Sequence, residues 1–488
     1  MSPALNRSES SGTAVPESCT RNHKRETFCG RKHSMASLET SHHSMNSKVG
    51  CLAGAADSTP YREKIRHGRP TFPELLPADD DALHLLTNGL YELCERSAPG
   101  GTELALYVHV PFCDAICSFC LFDRVPRHQS GIDWYLAALR KEILYTSSRP
   151  YARNRPVTAV YIGGGTPSCL GESELIGLVC DISEHFSLDS RVEFTVEGSA
   201  RHMHRDLVIR LNSLGVNRIS LGIQTFDPAL RRHLSPNESH VDAGDVIQEI
   251  HDAGCANVDI DLIYGFPEQT LEMWIRDIEL AIELGLESVS VFDLIIHPQT
   301  PLGKGILAGE VRGMPTTSDR IRMLQAAREL FLEAGYRQQH LYHFVRPGFE
   351  NRYLEARFKT QNDSLALGNT SEGRIDGFLF RNPASWEDYL ARMECHCMPP
   401  MAQCLKLEGH LRVLHYIIKS LELLGVDRAE CRTLFGIDPL DAFRSTFEGL
   451  MERDLVRQEG DVLQLTPLGT LWGWNVIAEF YTEVPKQA

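Results

Sequence analysis

Six apolar segments, each followed by a stretch with helical periodicity, constrain the fold of this 488-residue chain more than any other feature. The strand candidates are 103–110, 157–165, 191–199, 218–226, 257–265 and 288–296. Strands that are almost wholly apolar and alternate with helices are typical of a parallel sheet covered by helices on its outer face. The sequence therefore predicts an α/β fold in which six strand–helix units form a three-quarter or closed barrel, with the chemistry at the carboxyl ends of the strands.

The rest of the chain divides into a tail, a connecting region and a C-terminal domain. The beginning of the chain is rich in Ser, His, Thr and Asn and keeps no strand or helix periodicity, which is typical of disorder. The end of the chain, from Phe435 to Tyr481, combines helical stretches with a short turn-linked pair of strands. The expected limits are 1–70 for the disordered tail, 71–100 for a lead-in helix, 101–345 for the barrel, 346–405 for a connecting segment and 406–488 for the C-terminal domain.

Composition and charge exclude several classes of protein. The formal net charge is -16 at pH 7, whereas a general nucleic-acid surface needs a basic face to match the phosphate backbone. No stretch approaches the roughly 18 to 20 uninterrupted apolar residues of a membrane span, and the start of the chain lacks the apolar core of a secretory signal. We therefore expect a cytoplasmic protein that binds neither nucleic acid nor membrane.

Three cysteines, Cys113, Cys117 and Cys120, follow the first predicted strand within eight positions. In a reducing compartment, so tight a group of thiols indicates a metal site rather than a disulfide scaffold. Three thiolates can hold a [4Fe–4S] cluster and leave one iron open to a non-protein ligand. Zinc is the main alternative, although it would need a fourth ligand or a catalytic water, and structural thiols come third.

The ends of the next four strands carry glycines and polar side chains. The second strand ends in "GGGTP", residues 163–167, and consecutive glycines let a ligand approach the backbone closely. Glu197, Gln224 and Asp261 lie near the ends of three later strands. A carboxylate there can accept hydrogen bonds from ribose hydroxyls, and an amide can fix a polar group. Their joint placement indicates a small-molecule site in the barrel mouth.

The motifs "CDAICSFC", "YIGGGTPS", "RISLGIQTFDP" and "VDIDLIYGFPEQT" resemble those of the radical S-adenosylmethionine (SAM) superfamily. From about residue 100 to 480, the chain resembles the HemN-like group: oxygen-independent coproporphyrinogen III oxidases, heme chaperones, and HemN-type methyltransferases and cyclopropanases. The resemblance implies a partial (β/α)6 TIM-like radical SAM barrel with a helical HemN-type C-terminal domain over its mouth. It also implies that an electron from a [4Fe–4S] cluster cleaves SAM to a 5′-deoxyadenosyl radical, which abstracts a substrate hydrogen.

The resemblance assigns roles to individual residues. Cys113, Cys117 and Cys120 would be the catalytic iron ligands, and the fourth iron would be chelated by the amino and carboxylate groups of SAM. Further SAM contacts fall on the strand ends, on an aromatic residue between the last two cysteines, and on a tyrosine of the first strand. They are Gly163, Gly164, Gly165 and Thr166 at the methionine end, Glu197, Gln224 and Asp261 for one or two SAM molecules, Phe119 near the adenine, and Tyr107 at the border of the active site.

Two departures from the family patterns bear on the activity. Phe122 stands where the coproporphyrinogen oxidases usually have a further cysteine, which weakens the oxidase hypothesis. Residues 349–358, "FENRYLEARF", lack the His-Asn-x-x-Tyr-Trp stretch of the heme chaperones, which weakens the chaperone hypothesis. Together with residues 365–382, this segment resembles the methyltransferase branch, which includes anaerobic heme-degrading enzymes and natural-product methylases or cyclopropanases.

The resemblance leads to one main hypothesis and two alternatives. The main hypothesis is a radical SAM enzyme that binds two SAM molecules, one cleaved and one donating a methyl or methylene carbon to an unsaturated or aromatic substrate. The alternatives are oxidative decarboxylation of a porphyrinogen propionate and heme delivery. The expected partners are a small-molecule substrate and an electron donor such as flavodoxin or ferredoxin. An arginine that helps hold SAM in many relatives would align near Pro236, so either Arg231 or Arg232 replaces it or the SAM pose differs.

Overall fold

The computed structural model describes a large part of the chain, and all of that part falls within one compact unit, residues 52–488. The described residues are 59–66, 80–98, 103–234, 241–395 and 401–481. The predicted tail, residues 1–70, lies outside them apart from 59–66. In the described residues, no helix is long and apolar enough to cross a lipid bilayer.

A sheet of parallel strands forms the centre of the fold, which confirms the predicted α/β class. The strands of the first half are β1 (Leu104–Val110), β2 (Phe112–Cys113), β3 (Val125–Pro126), β4 (Val157–Gly164), β5 (Leu188–Gly198), β6 (Arg218–Gln224), β7 (Val258–Tyr264) and β8 (Ser288–Asp293). Strands β1, β4, β5, β6, β7 and β8 pair in that order, all parallel. The short strands β2 and β3 pair with each other beside this sheet.

Helices follow the strands and cover the outer face of the sheet. They are α1 (Asp80–Cys94), α2 (Gln129–Ser148), α3 (Glu172–His185), α4 (Arg205–Ser213), α5 (Pro228–Leu234), α6 (Ala243–Asp252), α7 (Leu271–Glu283), α8 (Pro301–Leu307) and α9 (Thr317–Glu333), with a 3-10 turn at Pro167–Cys169. Side-chain caps fix several starts; Thr316 and Asp319, for example, form a reciprocal capping box at α9. The apolar side of these helices packs on residues such as Val108, Ile162 and Val196, which are fully buried.

The second half of the chain extends the same sheet at both edges. Its strands are β9 (Arg337–His340), β10 (His343–Val345), β11 (Asp363–Leu367), β12 (Glu372–Ile375), β13 (Phe378–Arg381) and β14 (Gln403–Lys406). Strand β11 lies parallel to β1, and the order across twelve strands is β14-β13-β12-β11-β1-β4-β5-β6-β7-β8-β10-β9. Residues 346–405, expected as a connecting segment, therefore contribute four strands to the main sheet. These strands have only four or five residues, too few for a clear periodic signal.

A short helix, α10 (Arg352–Phe358), lies against β1, β4 and β11 at the amino ends of the strands. The carboxylate of Glu193 accepts hydrogen bonds from the amides of Arg352 (3.1 Å) and Tyr353 (3.0 Å). The Tyr353 ring stacks 6.2 Å from Tyr107 and lies 5.0 Å from Tyr161. We call this helix the floor of the barrel interior, because it covers the end opposite the glycine and cysteine loops.

The C-terminal region is mainly helical and begins after β14. A three-stranded antiparallel sheet sits among its helices, and α11 (Trp386–Cys395) precedes it. The elements are α12 (Gly409–Glu422), β15 (Gly425–Asp427), α13 (Arg428–Phe435), α14 (Pro439–Ala442), α15 (Arg444–Glu452), β16 (Val456–Glu459), β17 (Val462–Leu465), α16 (Pro467–Leu471) and α17 (Gly473–Tyr481).

Residues 59–66, which the sequence placed in a disordered tail, pack between the barrel and the C-terminal region. The Tyr61 ring lies 5.6 Å from Trp472, and the amide of Ile65 donates to the side-chain oxygen of Asn475 at 3.0 Å. Lys64 is buried, with its ammonium 3.5 Å from the Asp293 carboxylate. This segment differs from the expectation because its partners lie more than 200 positions away in the sequence, where no local pattern can reveal them.

Candidate active site

The loop after β1 holds Cys113, Cys117 and Cys120. Cys113 is 8% exposed, the other two are half-buried, and none of the three is in a disulfide. Burial raises the pKa of the Cys113 thiol to about 11 and also raises the pKa of Cys120. A bound metal would overcome this penalty, because coordination deprotonates a thiol outright.

Neighbouring loops hold the cysteine loop in place through the residues between the cysteines. The amide of Ser118 donates to the carbonyl of Leu234 at 3.3 Å, and its carbonyl accepts from the amide of Leu302 at 2.9 Å. The ring of Phe119 packs edge-on against Phe266, with centroids 5.6 Å apart. Helices α5 and α8 therefore fix the cysteine loop, and Phe119 lies against the loop after β7.

A [4Fe–4S] cluster fits this donor set better than a single metal ion does. Within the described residues, no group of three or more His, Cys, Asp or Glu side chains is placed to hold one ion. A cluster binds each cysteine through a different iron, so its sulfurs stand farther apart than the ligands around one zinc. The Thr166 hydroxyl lies 3.5 Å from the Cys113 sulfur, which ties the cysteine loop to the glycine loop. Three thiolates on one loop, with the fourth iron left for a non-protein ligand, therefore suit a [4Fe–4S] cluster.

The glycine run at the end of β4 keeps open a space that side chains would fill. A Cβ on Gly163 would lie 2.5 Å from Oε2 of Glu197, and a Cβ on Gly164 would lie 2.7 Å from Cε1 of His109. Gly164 also has φ +127°, which residues with a side chain rarely adopt. Its amide donates to Oε2 of Glu197 at 3.0 Å. The run is thus suited to the close approach of the methionine end of SAM.

The Glu197 carboxyl is buried beside the glycine run. Burial raises the pKa of Glu197 to about 7, while the hydrogen bond from Gly164 opposes part of that increase. The Tyr107 hydroxyl lies 3.0 Å from Nδ1 of His109. Burial lowers the pKa of His109 to about 3 and raises the pKa of Tyr107 well above its ordinary value, so both are neutral near pH 7. A ribose or an amino group would therefore meet one titratable carboxyl and two neutral polar rings here.

Gln224 is the last residue of β6, whereas Asp261 lies in the middle of β7, three residues before its end and not near it as the sequence predicted. Gln224 has φ +69°, and the pairing of β6 with β7 shifts register between Gly222 and Gln224. A positive φ at a residue other than glycine costs on the order of 1–3 kcal/mol and is typical of functional sites. Burial, together with the nearby charges of Asp259 and Glu197, raises the pKa of Asp261 well above its ordinary value. The carboxyl of Asp261 is thus prepared to bind a polar group without a full charge.

A buried ion pair lies on the same inner face as the carboxyls of Glu197 and Asp261. Arg218 is fully buried, and its guanidinium lies 2.9 Å from the Asp259 carboxylate. The hydroxyl of Ser220 donates to the same carboxylate at 3.1 Å. Sequence reasoning missed this pair, because both residues sit inside strands that read as apolar. Their role is to fix the inner face on which Asp261 lies.

The arginines suggested as replacements for a family SAM ligand lie on or near α5. Arg231 is buried and donates to the carbonyl of Val241 at 2.9 Å, whereas Arg232 is exposed. Pro236 lies outside the described residues. The replacement of the family arginine by either residue stays a prediction.

Three charged residues of the barrel interior were absent from the sequence predictions. They are Arg357 on α10, Glu372 on β12 and Arg381 on β13, and we call them the arginine wall. Each side chain is about a third exposed: 35% for Arg357, 30% for Glu372 and 32% for Arg381. The only sequence signal was their position in the two segments that resembled the methyltransferase branch, and nothing in those segments marked single residues.

Comparisons with known proteins agree with this geometry. The family model described as the Radical SAM superfamily matches residues 107–281. A heme chaperone HemW from Lactococcus lactis is 32% identical over 284 residues, which cover 58% of this chain and 73% of the relative. An anaerobilin synthase from Escherichia coli O157:H7 is 26% identical over 379 residues, which cover 76% of this chain and 82% of the relative.

A solved structure has the same fold. Coproporphyrinogen III oxidase (HemN) from Escherichia coli superposes with a TM-score of 0.71 at 23% identity, covering 81% of this chain and 94% of that chain. This likeness confirms the predicted TIM-like radical SAM fold. With the family match and the HemW relative, it shows that the chain belongs to the HemN-like family of radical SAM proteins, whose cofactors are a [4Fe–4S] cluster and SAM.

Proposed function

We propose that the protein is a radical SAM enzyme that binds two SAM molecules, one cleaved and one donating a methyl or methylene carbon to an unsaturated or aromatic substrate. The observation that carries the proposal is the pair of carboxyls on the inner face, Glu197 beside the glycine run and Asp261 two strands away. Register places Glu197 opposite Ser220 and Asp261 opposite Gly222, so the two lie at neighbouring levels of the barrel. Each offers a separate polar station for a ribose or an amino acid.

The first station would hold the SAM that is cleaved. Cys113, Cys117 and Cys120 would hold the [4Fe–4S] cluster, which when bound supplies the electron for reductive cleavage of SAM. The run Gly163, Gly164, Gly165 and Thr166 would take the methionine end, Glu197 a ribose or amino group, and Phe119 the adenine face. The helices and C-terminal region around the interior would exclude water from a reactive intermediate.

The second station would hold the carbon donor. Asp261 accepts a hydrogen bond from a ribose hydroxyl most strongly when ionised, and a bound cationic sulfonium nearby would favour that ionised form. Gln224, whose backbone has a positive φ, ends β6, the strand that pairs with the strand of Asp261. Tyr107 would border the substrate, because its ring lies between the glycine run and the floor tyrosine Tyr353. Similarity to an anaerobilin synthase over most of both chains supports the branch.

Counting bound SAM tests the proposal without knowledge of the substrate. The protein is reconstituted anaerobically with iron and sulfide and dialysed against methyl-labelled SAM. We expect two SAM molecules per cluster in the wild type and one in each of Glu197→Gln and Asp261→Asn. After dithionite is added, Glu197→Gln should lose 5′-deoxyadenosine, whereas Asp261→Asn should keep it. With an unsaturated or aromatic acceptor present to take the carbon, the wild type should also release S-adenosylhomocysteine and Asp261→Asn should not. One SAM per cluster in the wild type would contradict the proposal.

The same assay separates the alternatives. Formation of 5′-deoxyadenosine alone would favour oxidative decarboxylation of a porphyrinogen, in keeping with the fold that the chain shares with a coproporphyrinogen III oxidase. A Soret band on heme titration without SAM cleavage would favour heme delivery, the role in the name of the HemW relative. A flavodoxin or ferredoxin that replaces dithionite would identify the class of electron donor.

A further inference from the structure

The arginine wall faces the same interior as the SAM stations, which follows from strand register. Tyr107 of β1 lies opposite Ala366 of β11, and Ser364, two residues earlier, lies opposite Arg374 of β12. Glu372, two residues before Arg374, pairs in turn with Arg381 of β13. Residues two apart on a strand share a face, so Tyr107, Glu372 and Arg381 all point to the inner side.

Contacts agree with this placement. The charge of Arg381 contributes to the low pKa of His109, so the guanidinium lies near the ring beside Gly164. Arg357, on the floor helix, is 3.4 Å from the Tyr353 hydroxyl, and the Tyr353 ring stacks on Tyr107. Both arginines therefore border the space between the floor and the glycine run.

The wall carries two positive charges and one negative charge. Nη2 of Arg357 lies 3.8 Å from Glu372, and Nε of Arg381 lies 3.7 Å from the same carboxylate. Both distances exceed those of a charge-assisted hydrogen bond, about 2.7–2.9 Å, so each guanidinium forms a long ion pair with Glu372 and keeps N–H groups for another acceptor. Nη2 of Arg381 also donates to the Thr370 hydroxyl at 3.2 Å. The planar fork of a guanidinium matches a carboxylate with two parallel hydrogen bonds. The wall therefore has one net positive charge in the barrel interior, and a buried charge is most stable when it is paired with an opposite one.

We propose that Arg357 and Arg381 form a carboxylate-binding subsite that orients an aromatic or unsaturated acid in the barrel interior. The subsite extends the proposed function. That the bound acid is the substrate rests on the proposed function. The acid's carboxylate would accept hydrogen bonds from N–H groups of Arg357 and Arg381 that Glu372 does not use, and its flat body would lie along Tyr107, Tyr161 and Tyr353. The reacting carbon would then point towards the glycine run and Glu197. Glu197 and Asp261, elsewhere on the inner face, offer the carboxylate no cationic partner, so the two arginines would fix one orientation.

The probe is 1-pyrenebutyrate, a fluorescent flat aromatic acid, and its neutral partner is 1-pyrenebutanol. Fluorescence titration of the full-length protein requires neither SAM nor turnover, so its result is independent of the SAM count. We expect the acid to bind at least about tenfold more tightly than the alcohol, which is what one charge-assisted hydrogen bond provides. Arg357→Met, Arg381→Met and the double variant should reduce the affinity for the acid towards that of the alcohol.

Arg337→Met is the matched control, because Arg337 pairs with Glu350 at 2.9 Å and is 46% exposed. It should leave both affinities unchanged. Equal binding of acid and alcohol, no saturable binding of either, or wild-type discrimination in the double variant would overturn the subsite. Circular dichroism confirms that each variant is folded, and Arg381→Lys should recover part of the discrimination.

The carboxylate of SAM itself is a second source of the same chemistry. Equilibrium dialysis of SAM and of decarboxylated SAM on the reconstituted protein distinguishes the two. If the substrate supplies the carboxylate, the double variant keeps the wild-type ratio of these two affinities. If that ratio falls about tenfold in the double variant, the subsite holds SAM, and the assignment to substrate is overturned.

Discussion

Replacing Gly164 with alanine is expected to destabilise the fold and prevent SAM binding together. The added methyl group would lie 2.7 Å from Cε1 of His109 and 2.8 Å from the carbonyl oxygen of Val110. The Val110 oxygen belongs to β1 and cannot move without disturbing the sheet, and φ +127° is unfavourable for alanine. Backbone strain and overpacking each cost on the order of 1–3 kcal/mol, so the free energy of unfolding should fall by about 2–6 kcal/mol.

Gly177→Ala is the matched control. Gly177 is exposed on α3, and no heavy atom lies within 4 Å of the position that its Cβ would take. Alanine in a helix interior is favoured over glycine by roughly 0.5–1 kcal/mol, so this variant should gain stability. Urea denaturation and equilibrium dialysis of SAM on reconstituted protein measure the two effects. Wild-type stability or wild-type SAM affinity in Gly164→Ala would refute the reasoning.

Three further substitutions test other parts of the site. Burial raises the pKa of Glu197 from 4.5 to about 7, so this carboxyl should cost the wild type up to about 3 kcal/mol of stability as the pH rises through this window. Glu197→Gln should show a smaller loss, to which Asp277, with its pKa raised to about 6 by burial, still contributes; urea denaturation near pH 5 and pH 8 measures the difference. Asp114 lies 2.7 Å from Nε2 of His202 beside the cysteine loop, and Asp114→Asn should speed the loss of iron to a chelator roughly tenfold. Lys64→Ala removes one of the cations at the buried Asp293 and should lower the free energy of unfolding by about 1–3 kcal/mol in urea denaturation.

Surface ion pairs provide controls for the last two variants. Asp388→Asn breaks an exposed pair with Arg392 at 3.0 Å, between two residues of α11, and should not change the rate of iron loss. Lys406→Ala breaks an exposed pair with Glu408 at 2.8 Å and should change stability by less than about 1 kcal/mol. Equal effects in the test variants and their controls would show that the buried or loop contacts have no special role.

The strands and motifs that local sequence determines were predictable. A run such as 104–110 is apolar and bounded by turn residues, so both its type and its limits are visible in the chain. The glycine run, Glu197 and Gln224 lie at or near strand ends, which a parallel sheet brings to one edge, whereas Asp261 lies in the middle of β7. Their roles as SAM contacts stay predictions. The spacing of the cysteines alone left both an iron–sulfur cluster and a zinc site open. The resemblance to the family motifs indicated the iron–sulfur cluster.

The features that local sequence did not predict depend on distant contacts. Strand β11 pairs with β1, with Tyr107 opposite Ala366, about 260 positions apart in the chain. The packing of Lys64 against Asp293 and the position of Arg381 near His109 have the same origin. The positive φ of Gln224 is different, since it follows from a register shift between two strands that both read as regular.

The outer face of the central strands packs in the apolar core, whereas the inner face lines the barrel interior. This difference explains why the interior can hold charged side chains. The outward residues of β1, Leu106 and Val108, belong to the large apolar core under the helices. The inward residue Ala105 belongs to a small separate cluster with Ala159, Tyr353 and Ala356. In a barrel packed for stability, branched apolar residues fill the inside. Here the outer layer stabilises the sheet, so the inner face is free to carry the carboxyls and arginines of the site. Substitutions on the outer face should therefore change stability first, and substitutions on the inner face should change binding first.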